Sequence, residues 1–188
     1  GMALSMILGK MPTGGNLGGF ISSDNHIMDG HHRWVATAMV DPSKEVGGYL
    51  VDFPGADLIR LLNAITVGKL GIMQGKDASG SFDQFQEEPV RQELTRLAKE
   101  GSEFLKPADV MKALKEFTGQ DGEGALEAAV QKFVANLSTL TFETPQGAPD
   151  RIDMPVIDPG KVKDADKIAS KALSQGEIDW NEPKAPKA

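Results

Sequence analysis

The sequence predicts an α+β protein, with a small mixed sheet and its helices over residues 1–70 followed by a mainly helical region. Three observations carry this expectation. The first 70 residues alternate short β-rich runs with amphipathic ones, and residues 88–137 hold three successive apolar stripes at helical spacing. The composition, 40% hydrophobic and 25% charged, is that of an ordinary globular chain. At 188 residues there is room for one domain or a core with an appendage.

Each element has a local reason. Phe20-Ile21-Ser22 and His26-Ile27-Met28 flank Ser23-Asp24-Asn25, whose short polar side chains favour a tight turn, so a hairpin is expected. Lys10 to Gly19, before it, is glycine-rich and reads as an entry loop, with backbone amides that cover a nucleotide as the alternative. Asp29 or Gly30 then opens a helix on which Trp34, Val35, Ala38 and Met39 share a face, and Asp41-Pro42 ends it. Gly47 to Phe53 reads as a strand punctuated by Pro54-Gly55. With Asp57 as N-cap, Leu58, Leu61, Leu62 and Ile65 then form a helical stripe.

Residues 71–86, rich in Gly, Ser and Asp, read as a linker. Helices are expected at 88–100 and 107–118, each with a proline in its first turn, and at 122–137. Their core faces are Val90/Leu94/Leu97, Val110/Met111/Leu114/Phe117 and Leu126/Val130/Phe133/Val134/Leu137. Leu140 to Thr144 suggests a strand, 162–174 a weak helix, and 176–188 a disordered tail. The domain reading is therefore 1–70, a linker over 71–86, a mainly helical region over 87–175, and the tail.

Several function classes are excluded at this level. With no cysteine, the chain has no disulfide framework, no Cys-bearing metal site and no thiol nucleophile, which fits a reducing compartment. The apolar opening Met2 to Gly9 is too short for a membrane span and lacks a basic leader, so a cytoplasmic protein is expected. The net charge of −7 disfavours a surface that coats nucleic acid. Residues 1–70 carry five Lys or Arg against six Asp or Glu, so most of the excess acid lies later, and an anion site belongs in the first part.

All three histidines fall between His26 and His32, at the handover from hairpin to helix. A helix N-terminus offers outward-pointing N–H groups and the positive end of the macrodipole, so it suits an anion. Gly30 permits close approach to the backbone, Arg33 offers a planar fork to phosphate oxygens, and His31 and His32 can donate ring N–H groups. Asp29 is either a carboxylate for a Mg²⁺-bound nucleotide or a helix cap. No metal site is expected from the histidines themselves, since neighbours on a helix rarely chelate one ion.

Ile27-Met28-Asp29-Gly30-His31-His32-Arg33-Trp34, followed by Ala36 and Ala38, resembles the D-G-x-H-R signature of the ParB/sulfiredoxin-like superfamily, over roughly residues 18–70. The superfamily includes partition proteins, ParB-like nucleases, sulfiredoxins and free serine kinases. The resemblance implies a nucleotide or other phosphate-bearing ligand at the start of the helix, held by Asp29, Gly30, His31, His32 and Arg33. It also implies opening elements that are shortened in this chain. His31 stands where a sulfiredoxin has its cysteine, which excludes that reaction, and His31-His32-Arg33 replaces the Glu-Arg-Arg of partition proteins. If the protein is an enzyme, the reaction is phosphodiester hydrolysis or phosphoryl transfer, with His32 or His31 as acid or base and Mg²⁺ accompanying any nucleotide. The alternative is a non-catalytic interaction module, of phage or mobile-element type, that keeps the fold.

Overall fold

The computed structural model describes residues 1–70 and 85–148. Its elements are α1 (Met2–Ile7), β1 (Gly15–Ser22), α2 (His31–Val40), β2 (Val46–Val51), α3 (Gly55–Leu70), α4 (Glu87–Glu100), α5 (Pro107–Thr118) and α6 (Gly122–Leu137). This is an α+β fold with a helical region. The linker core at 71–84, the helix expected at 162–174 and the tail at 176–188 lie outside the described residues, as does the side chain of Ile65.

The two strands pair in parallel. Gly15 N–H donates to Glu45 O and Ser23 N–H to Phe53 O, so both strands advance together, with α2 as the crossover between them. An antiparallel bridge, Ile21 to Ile27, records the expected hairpin in reduced form.

Two stretches before and after this unit depart from expectation. The apolar opening forms α1, and residues 15–19 of the glycine-rich run belong to β1 rather than to a loop. The strand expected at 140–144 is absent. Leu140 N–H instead closes a turn onto Leu137 O, and Phe142 packs edge-on against Trp34, with ring centroids 5.5 Å apart. An alternating apolar pattern makes a strand only where a partner edge is at hand, and Phe142 is taken up by aromatic packing instead.

Compactness groups the chain in a way that crosses the division at 71–86. One unit comprises 1–19, 29–48 and, among the described residues, 85–142; the other comprises 20–28, 49–70 and 143–148. In the first, Leu4, Met6 and Ala36 join Val90, Leu97, Val110, Leu114, Val130 and Phe133 in one core, so the later helices share a core with α1 and α2. Phe133 is fully buried and stacks on Phe117, centroids 4.7 Å apart. The second unit has a smaller core of Leu58 and Leu61, covered by Phe20, Met28, Val51, Phe53 and Leu62.

The helix ends follow local chemistry. Pro107 begins α5, Asp109 accepts from the Lys106 N–H, and Gly119 closes the helix in the left-handed region. In α3 the first turn starts at Gly55, with Pro54 O accepting from Asp57 and Leu58 N–H. Asp57 is thus inside the helix rather than its N-cap, and it pairs with Arg60 at 2.9 Å. The reason is Pro54, whose fixed φ and missing N–H suit a helix start two residues earlier than the polar residue.

Phe133 has the most to lose in the larger core. Phe133→Ala is expected to cost about 3–5 kcal/mol in urea unfolding, and a loss below about 1 kcal/mol would show that α6 is not central to that core.

Candidate functional site

The start of α2 is built by a backbone fit. Gly30 is the N-cap, at φ 90° and ψ 10°, a left-handed conformation that favours glycine. Its carbonyl accepts from Arg33 N–H at 3.0 Å and Trp34 N–H at 2.9 Å, which sets the first turn. Among the described residues no side chain caps this end. Asp29, the other residue expected to open the helix, instead accepts from the adjacent Gly30 N–H through Oδ1 at 2.7 Å.

Strand β1 lies directly beneath. A Cβ on Gly19 would sit 2.3 Å from Asp29 O and 2.6 Å from its carbonyl carbon, and one on Gly30 would sit 3.0 Å from Leu17 Cβ. The strand and the Asp29-Gly30 corner therefore touch backbone to backbone. The sequence marks Leu17 and Gly19 only as part of the glycine-rich run over 10–19, an entry loop or amides over a nucleotide, and not as a strand beneath the corner; in a strand, glycine often marks close backbone approach.

Of the expected site residues, Asp29, His31 and His32 are exposed, while Gly30 and Arg33 are half-buried. Arg33 differs from the other arginines that the structure describes. Arg60, Arg91 and Arg96 each hold a carboxylate oxygen within 3 Å, at 2.9, 2.8 and 2.8 Å. The Nε of Arg33 is buried and has no hydrogen-bond partner among the described residues. Leaving a charged donor buried and unpaired is costly, by roughly 1–3 kcal/mol or more, so such a group marks where an acceptor belongs.

The third histidine is placed elsewhere, in the second compact unit. Asp24 Oδ1 accepts from the buried Ser22 hydroxyl and from Gly55 N–H at 2.8 Å, and His26 Nδ1 lies 3.1 Å away without an aligned hydrogen bond. His26 N–H donates to Ser22 Oγ at 2.9 Å, while Asn25 takes the left-handed corner at φ 63°. Asp24 thus ties the turn to the first amide of α3, a local and structural role. Among the described residues no group of three or more His, Asp or Glu is placed to hold a metal ion, and no helix is long and apolar enough to cross a membrane.

The Ser22 hydroxyl, with smaller help from His26 and the Gly55 amide, holds the Asp24 carboxyl down from its usual 3.8 to about 2. A carboxyl lowered by folding stabilises the protein above its unfolded pKa, and that contribution fades as pH falls toward the folded one. The stability advantage of the wild type over Asp24→Asn is expected above pH ~4 and should vanish toward pH ~2, as read from urea midpoints across that range. An advantage that stays constant with pH would contradict the assignment. No protein-family model, no curated protein and no solved structure matches this chain.

Proposed function

We propose that the start of α2 binds a nucleotide or another phosphate-bearing small molecule, through the first-turn amides, Gly30, His31, His32 and Arg33. The observation that carries this reading is the buried Arg33 Nε, which has no hydrogen-bond partner among the described residues and sits on the first turn of a helix that none of their side chains caps. The left-handed Gly30 sets the corner from which the helix starts, its missing side chain leaving room for Leu17 of β1. The resemblance of Asp29 to Arg33 to the ParB-like signature points to the same ligand class.

In this reading Arg33 and the helix amides steady negative charge on phosphate oxygens, and the exposed imidazoles of His31 and His32 are the groups able to give or take a proton. If the protein turns over its ligand, those roles suit phosphoryl transfer or phosphodiester hydrolysis. The Asp29 carboxylate is already bonded to Gly30 N–H through one oxygen. Its other oxygen is the acidic group a nucleotide-borne Mg²⁺ would meet, because such an ion is commonly held by one or two carboxylates together with phosphates. Arg91, which might have offered charge on α4, is committed to Glu87, Glu88 and Glu127, and this opposes a nucleic-acid surface on those helices.

Titration with ATP, ADP and CTP, with and without Mg²⁺, is expected to raise the melting temperature for at least one of them. Arg33→Ala should then weaken binding by about 10- to 150-fold, the equivalent of a lost charged hydrogen bond of ~1.5–3 kcal/mol, while the fold is kept. No thermal shift with any nucleotide at millimolar concentration would sink this reading. A change in stability alone on replacing Arg33 would favour the interaction module.

A further inference from the structure

The anion site needs its donors aimed, and the aiming is done by a residue outside the signature. We propose that Gly19 on β1 is the positioning residue of this site: because it has no side chain, the Asp29 carbonyl can lie against the strand, and that contact sets where Gly30 and the first amides of α2 point. The proposal rests on the reading of the α2 start as an anion site.

The distances make the contact specific. A Cβ at Gly19 would meet three atoms of Asp29, the carbonyl oxygen at 2.3 Å, the carbonyl carbon at 2.6 Å and Cβ at 3.1 Å. Two of the three are backbone, which cannot swing aside as the end of a flexible side chain can. Gly19 is not among the glycines with positive φ, so its requirement comes from space and not from backbone conformation. Any residue larger than glycine must therefore push the Asp29-Gly30 peptide away from β1 by a sizeable part of an ångström. Asp29 is covalently next to the N-cap, and its carboxylate bonds the Gly30 N–H, so a displaced Asp29 carries the helix start with it. Two residues earlier on the same strand, Leu17 lies where a Cβ on Gly30 would fall, 3.0 Å from it, so β1 fits closely under both residues of the corner.

Gly47 on β2 supplies the control. A Cβ there has nothing within 4 Å, and its φ is ordinary for a strand, so alanine is accommodated. The experiment measures ADP and ATP affinity by calorimetry, with thermal melts and far-ultraviolet circular dichroism, for the wild type, Gly19→Ala and Gly47→Ala. The expected result is a loss of affinity of about tenfold or more for Gly19→Ala, since small misplacements of binding groups carry penalties of that size. Gly19→Ala should keep its helical signal, and Gly47→Ala should bind like the wild type. Equal affinity of a folded Gly19→Ala would overturn the proposal, whereas failure of the wild type to bind would instead remove the anion site itself.

If Gly19→Ala does not fold, the wild type still decides the matter. In a nucleotide titration followed by ¹⁵N NMR, the Gly19 amide is expected to shift in step with those of Gly30 and His32. A Gly19 amide that stays fixed while Gly30 and His32 saturate would show that the strand does not set the site.

Discussion

The burial of one full turn of α2, Val35 to Ala38, is the constraint on which the rest depends. That turn places α2 in the larger core, against α1 and α6, and Asn136 Nδ2 holds its far end by donating to Met39 O at 2.7 Å. Within the same turn, the buried Thr37 hydroxyl accepts from Gly14 N–H at 3.2 Å, immediately before β1 begins. The helix therefore fixes the entrance to the strand, and the strand returns beneath the helix start at Gly19. Core packing and site geometry are two ends of one element.

The anion site we propose lies in a small, acidic protein. Surface arginines elsewhere are neutralised by neighbouring acids, as Arg91 is by Glu87, Glu88 and Glu127, and the Glu127 carboxyl is held down to about 2 chiefly by Arg91. Such exposed pairs contribute little to stability, but they remove free positive charge from the helical face. Arg33 differs from those arginines: it is half-buried on the first turn of α2, and its Nε has no hydrogen-bond partner among the described residues. Local donors then matter more than the net charge of −7.

Much of this was legible from residues alone. The helices at 88–100 and 107–118 were readable because apolar spacing, a first-turn proline and a following glycine agree, and 122–137 from its apolar spacing alone; α4, α5 and α6 form there. The α2 start was readable because Asp29-Gly30 breaks the pattern just before Trp34 and Val35. What sequence could not supply was nonlocal. The strand expected at 140–144 had the right alternation, but Phe142 went to Trp34. α1 escaped notice because six residues hold too little periodicity to read. Gly19 looked like loop glycine because its reason for being glycine lies ten positions away, in the carbonyl of Asp29. Asp24 was legible as a turn residue, but its reach to the Gly55 amide, 31 positions away, was not.

The most direct measurement is the Nε–H resonance of Arg33 followed by NMR during titration with ATP and Mg²⁺. The account predicts that this signal moves downfield and saturates together with the backbone amides of His31 and His32, as a buried donor gains its acceptor. An Arg33 Nε–H that stays unchanged while ligand-dependent shifts appear elsewhere would contradict it.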